Sequence, residues 1–209
     1  MKPFILSILL SVVAVTGFAQ SDKFTAAMQK NLALLDSAKT TQDLTAVSNA
    51  FERVGDAEKT QWLPYYYAAL AQTSIGWMSP NTEKDQVAEK ANALIAKAEA
   101  IEKNAEIYTL KNMSATIQMM VDPMSRWQTY GAQAGTALQQ AMKLDPNNPR
   151  PYYLQGMSIF NTPEQFGGGK AKAKAIFEKA VALYKTETPK PLYPHWGQKE
   201  AEGMLAKCN

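Results

Sequence analysis

The 209 residues are 46% hydrophobic and 20% charged, a balance suited to a chain that folds around its own apolar surface. Lys and Arg total 22 against 19 Asp and Glu, a surplus too small for a nucleic-acid footprint or a membrane-attracting patch, so no nucleic-acid partner is expected. The lone cysteine, Cys208, excludes an internal disulfide without excluding an oxidising compartment.

In chain order, Lys2, an apolar run from Phe4 to Val15 and the small-residue exit Gly17-Phe18-Ala19 read as a secretory signal. Cleavage after Ala19 would leave a domain over 20–209, exported to the periplasm or secreted. The apolar run is shorter than the roughly 20 residues that span a bilayer, and no later segment approaches that length, so no membrane insertion is expected after cleavage. No cysteine follows the cleavage point to carry a lipid. An uncleaved N-terminal anchor is the alternative reading.

From Ser21 onward apolar residues recur at helical spacing, and the predicted fold is all-α. Phe24, Ala27, Met28, Leu32 and Leu35 form one stripe; Leu44, Val47, Ala50, Phe51 and Val54 form a second, before Gly55-Asp56. A third helix opens at Trp62-Leu63-Pro64, where proline is tolerated in a first turn. Aromatic helix starts then return at Tyr65-Tyr66, Ile107-Tyr108, Tyr152-Tyr153 and His195-Trp196, in steps of 42, 45 and 43 residues. Three second helices share small, large, small and large residues at the same offsets: Ala91, Ile95, Ala98, Ile101; Ala134, Leu138, Ala141, Leu144; Ala173, Phe177, Ala180, Leu183. That register puts each set on one helix face, where alanines let a neighbouring backbone approach and bulky residues fill the space beside it.

The run Ala134-x3-Leu138-x2-Ala141-x4-Pro146 resembles the second-helix signature of the tetratricopeptide repeat (TPR), and residues 144–150 resemble that family's link between repeats. Tyr152-Tyr153-Leu154-Gln155-Gly156 resembles its first helix, with Gly156 where the two helices of a repeat touch. The resemblance implies a right-handed helical-hairpin solenoid of about nine helices. The units exceed the family's usual period of about 34 residues. The surplus falls between first and second helices, at Gly76 to Glu83, around Val121-Asp122-Pro123, and at Asn161 to Gly169. Lys111 or Asn112 also replaces a small first-helix residue, and a related helical-hairpin repeat stays an alternative.

Little in the sequence points to chemistry. Thr162-Pro163 with Gln165 has a helix-capping pattern, interrupted by Gly167-Gly168-Gly169-Lys170. A phosphate-cradling loop needs a different glycine spacing and a hydroxyl where Ala171 stands. Two readings remain for Gly168, Gly169 and Lys170: anion binding at a helix start crowded by Lys170, Lys172 and Lys174, or a tight return with solvated lysines. One histidine and one cysteine cannot form a zinc site, so no metal, no cofactor and no catalytic residue is expected. Cys208 is read as part of the stripe of a final capping helix with Gly197, Ala201, Met204 and Leu205. The acidic residues mostly alternate with lysines and alanines, as solvated faces do.

Aromatic residues gather at first-helix starts, and three consecutive tyrosines, Tyr65 to Tyr67, are not expected to face inward together. In the TPR family first helices line a concave peptide-binding surface. The resemblance therefore implies a contact surface of Tyr66, Tyr108, Asn112, Arg150, Tyr153 and Met157, and a non-catalytic protein- or peptide-binding role in the cell envelope. An envelope hydrolase using a carboxylate pair and a structural subunit of an assembly are the alternatives.

Overall fold

The computed structural model describes residues 22–208; the expected signal, 1–19, lies outside them. Helix α1 covers 22–37, and its Met28 joins Leu44, Val47 and Phe51 of α2 (Thr41–Glu58) in the core. A reciprocal cap starts α2: Thr40 Oγ1 accepts from the Asp43 amide (3.1 Å) and the Asp43 carboxylate accepts from the Thr40 amide (3.0 Å). The expected stop at Gly55 does not occur, because α2 runs on to Glu58 and ends at Lys59 in the left-handed region. Gly55 is instead a packing contact; a Cβ there would lie 2.8 Å from the Tyr65 ring.

Helix α3 (Trp62–Met78) is buried around its circumference from Trp62 to Thr73. Tyr65, Tyr66 and Tyr67 all face protein, correcting the expectation that they could not. The reason is tertiary: α2, α4, α5 and the segment 187–197 surround α3 on every side. Each phenol finds an acceptor there, Asp56 for Tyr65 (2.8 Å), Glu106 for Tyr66 (3.0 Å) and the Leu192 carbonyl for Tyr67 (2.8 Å).

Helices α4 (Asn81–Ile101) and α5 (Ala105–Met119) follow, then α6 (Pro123–Arg126), a π turn (Trp127–Gly131) and α7 (Ala132–Leu144) in one unbroken rod. Helix α8 (Pro149–Asn161), a 3-10 turn (Glu164–Phe166), α9 (Lys170–Thr186) and α10 (Gln198–Ala206) complete the chain. With 123–144 counted as one rod, the described residues form nine helices and no strand. The extra length of the first unit is helix rather than loop: Gly76 lies inside α3, packed on Ile117, and only Ser79-Pro80 joins α3 to α4.

Helix α3 packs on α4, α5 on α7 and α8 on α9; α5 also meets α3, α4 and α8, so the hairpins pile up in sequence order. Ala91, Ile95, Ala98, Ala134, Leu138, Ala141, Ala173, Phe177 and Ala180 are all buried, as the repeating register requires. Its fourth position is weaker, since Ile101 and Leu183 are half-buried and Leu144 is exposed in the last turn, where the neighbouring rod ends. At Gly156 a Cβ would stand 2.6 Å from the Phe177 ring, so the missing side chain lets α8 and α9 touch. Helix α10 packs on α9 through Ala201 and Leu205, with Cys208 half-buried just beyond its end and Gly197 at its N-cap rather than in its stripe.

Candidate functional site

A groove of about 880 Å³ opens between α4, α5 and α7. Helix α4 contributes Asn92, Ile95, Ala96 and Glu99, α5 contributes Tyr108, Lys111, Ala115 and Gln118, and α7 contributes Ala132, Gln133, Thr136, Ala137 and Gln140. It arises because α4 and α7 both pack on α5 with small residues facing between them, so the walls are smooth and largely apolar. Polar groups stand along its length. Lys111 pairs with Glu99 (2.6 Å) and its ammonium lies 4.7 Å from the centre of the Tyr108 ring. The Glu99 carboxylate beside the Tyr108 hydroxyl, with some burial, pushes that phenol above its ordinary range. Burial works against the Glu99 charge, but Lys111 and Tyr108 hold its carboxyl below the usual value.

Helix α6 ties the two walls together at one end of this groove. Arg126 donates to both Asp85 oxygens on α4 (2.6 and 2.9 Å) and to the Gln118 carbonyl on α5 (3.1 Å), a bidentate geometry that fixes orientation as well as charge. The adjacent π turn exposes Trp127, and Gly131 within it lets the Met119 sulfur approach to 3.3 Å of the Cβ position. Such turns are frequent at functional sites. Trp77, Met78, Met120 and Met124 are exposed at the same corner of the stack.

The six expected contact residues do not form one surface. Tyr108 lines the groove, while Tyr153, set against Phe177, and Met157 are half-buried on α8. Tyr66, Asn112 and Arg150 are interior, which corrects their reading as partner contacts. Asn112 ties α5 to α7 by donating to the Ala134 carbonyl (3.0 Å). Arg150 is 2% exposed and donates to Glu106 (2.9 Å), to both Glu187 oxygens (3.0 and 2.5 Å) and to the Pro194 carbonyl (2.7 Å). Asn148 donates to the same Glu106 carboxylate (2.6 Å). Burial works against the Arg150 charge, yet Glu106 above all, with Tyr66 and Glu187, holds its pKa above the ordinary arginine value. Burial pushes the Glu187 carboxyl up despite Arg150.

The glycine loop departs from its anion-binding reading. The Gly168 amide donates to the Pro163 carbonyl (3.2 Å), that of Gly169 to Ile159 (2.9 Å) and that of Gly167 to Glu164 (2.9 Å), so the loop amides are already engaged. Lys170 lies over the Phe160 ring (5.9 Å) and Lys172 donates to the Gly167 carbonyl (3.0 Å). Gly168 is required by crowding, since a Cβ there would come within 2.0 Å of the Thr162 carbonyl. Thr162 closes α8 by donating to Ser158 (2.8 Å) and does not cap a new helix.

Sequence reasoning missed Glu106, Asn148 and Glu187, whose partners lie 37 to 44 residues away, beyond any local pattern. Nor does any sequence pattern single out Ala96, Ala132, Thr136 or Gln140, which line the groove. Among the described residues no group of three or more His, Cys, Asp or Glu is placed to hold a metal, and no helix is long and apolar enough to cross a membrane.

No family model and no curated protein matches the chain. Among solved structures, the HusA haemophore from Porphyromonas gingivalis is similar to it, with a TM-score of 0.81 and 35% identity over 88% of this chain and 92% of that one.

Proposed function

This chain belongs to the family of the HusA haemophore, and from that premise we propose that it is an exported, non-catalytic binding protein whose ligand is haem, held in the groove between α4, α5 and α7. The likeness to a haemophore at 35% identity over nearly the whole of both chains carries this reading. The groove chemistry supports the location. Haem is a flat apolar macrocycle with two carboxylates at one edge. Ile95, Ala96, Ala115, Ala132 and Ala137 offer smooth apolar wall, and Lys111 with Asn92, Gln118, Gln133, Thr136 and Gln140 offers a cation and donors for the carboxylates. No histidine, cysteine or methionine lines the groove, so this reading asks for contact with the faces and edge of the macrocycle rather than an imidazole or sulfur ligand to iron. The helical hairpins that build the walls are, on this reading, TPR-like repeats, and the signal over 1–19 directs export to the periplasm or beyond.

The test is titration of the chain lacking 1–19 with haem and with metal-free porphyrin, followed by absorbance and tryptophan quenching. Ala96 and Thr136 are exposed groove residues, so Ala96→Trp or Thr136→Trp fills the space without disturbing the core. Each is expected to weaken haem binding by at least about tenfold, on the order of 1.4 kcal/mol, with unchanged helical circular dichroism. Undiminished binding by both variants would move the site elsewhere; no binding by the unmodified chain would remove the haem reading.

A further inference from the structure

The face formed by α3 and the N-terminal ends of α5 and α8 is occupied by the chain itself. Residues 187–197 run back from the end of α9 without helix or strand and lie across this face. The helices hold them by main chain and side chains together, and at the start of the segment the Glu187 carboxylate accepts from Arg150 (3.0 and 2.5 Å). Tyr67 donates to the Leu192 carbonyl (2.8 Å), Arg150 to Pro194 (2.7 Å) and Tyr184 to Trp196 (3.1 Å), so alternate carbonyls are gripped by side chains from α3, α8 and α9. Two aromatic side chains add anchors. The Trp196 indole donates to the Tyr66 hydroxyl (2.8 Å), and Tyr193 packs edge-on against Trp62 at 5.6 Å.

Three properties mark this segment as a ligand-like strap rather than ordinary connecting chain. Pro189, Pro191 and Pro194 carry no amide hydrogen, so fewer of its amides need an acceptor when it lies against side chains that donate to its carbonyls. Leu192 adopts a φ of 68°, a left-handed conformation that a leucine takes only when its surroundings impose it, and such outliers concentrate at clamps and switches. The fit is also incomplete, because a cavity of about 260 Å³ remains between the strap and the helix ends, lined in part by Trp62, Glu106, Arg150, Glu187, Tyr193 and Pro194.

We propose that this face is a clamp for main-chain carbonyls, filled in cis by residues 187–197, and that an extended segment of another chain bearing prolines and an aromatic anchor takes the same place when the strap lifts. Recognition through carbonyls at alternate positions tolerates sequence, and the Tyr66 hydroxyl and Arg150 guanidinium that meet Trp196 supply selectivity for an aromatic side chain. The clamp shares no lining residue with the groove between α4, α5 and α7, so the inference does not rest on haem binding.

The test uses the full chain and a fluorescein-labelled peptide of residues 187–197, read by anisotropy. Trp196→Ala removes an anchor of the strap and leaves Tyr67, Arg150 and Tyr184 in place. It should bind the peptide about tenfold or more tightly than the unmodified chain, because unmasking a site raises apparent affinity by the inverse of the open fraction. Adding Tyr67→Phe to Trp196→Ala removes one donor of the clamp and should weaken that binding severalfold. Equal binding by all three chains, or none by Trp196→Ala with its helical signal intact, overturns the proposal. If Trp196→Ala loses that signal, hydrogen exchange of the unmodified chain decides: strap amides opening ahead of the helices support release, and opening only with global unfolding overturns it.

Discussion

Helix α5 borders both the groove and the strapped face, and the two differ in how far the molecule has satisfied them. Glu106 and Tyr108 are two residues apart, about 200° around the helix axis, and so serve opposite sides. On the Glu106 side every polar group has a protein partner: Tyr66, Asn148 and Arg150 converge on one carboxylate, and the strap closes over them. On the Tyr108 side the walls are alanine, glutamine and threonine, and the space between α4 and α7 stays open. A buried cation commits its surroundings to structure because each removed partner leaves a charge without water. A small-residue wall commits its surroundings to nothing, and leaves room for a ligand.

That contrast orders the expected effects of substitution. Arg150→Ala should be the most damaging, because it leaves the buried Glu106 and the half-buried Glu187 without their counter-charge; denaturant unfolding should show a loss of about 3–5 kcal/mol. Arg150→Lys should restore only part of it, since an ammonium cannot reproduce the forked contacts to Glu187. Next comes Ala180→Leu, which overfills the fully buried contact between hairpin helices and should cost about 1–3 kcal/mol in the same measurement. In the groove the pattern should reverse. Lys111→Ala should change stability by less than about 0.5 kcal/mol, as surface pairs contribute little, while weakening haem binding severalfold in a titration. A loss of stability at Lys111 matching that at Arg150 would erase the distinction between the two faces.

The smallest effect is a pH dependence. Burial works against the Glu52 charge, but hydrogen bonds from Lys90 (2.6 Å) and Lys97 (3.0 Å) hold its carboxyl below the ordinary value of 4.5. A carboxyl lowered on folding contributes stability that is fully present above that ordinary value and is lost as pH falls through the folded value. Unfolding midpoints of the unmodified chain and Glu52→Gln should therefore differ at neutral pH and converge as the pH falls below the lowered folded value of that carboxyl.

Local signals were sufficient for much of the architecture. The alanine and large-residue register predicted the hairpin contacts, and Gly156, which the repeat resemblance put where two helices touch, does lie against the Phe177 ring. Gly55 misled, since the same residue type serves as a helix stop or as a seat for an aromatic ring, and only the position of Tyr65 distinguishes them. The tyrosine triplet misled for the same reason: periodicity assumes one solvent face, and α3 has none from Trp62 to Thr73. Tyr108, read as a partner contact, lines the groove, whereas Tyr66 and Arg150 were placed on an open surface that the strap covers.

By itself the sequence determined the all-helical class and the order of the hairpins, because periodicity and side-chain size act between residues a few positions apart. Tertiary structure alone decided which faces of those helices stayed open. The pairing of Arg150 with Glu106 and Glu187, and of Tyr66 and Tyr67 with the strap, joins residues 37 to 130 positions apart. Such contacts depend on where the rods come to rest, and they cover one face with the chain's own strap while the alanine-walled groove stays open.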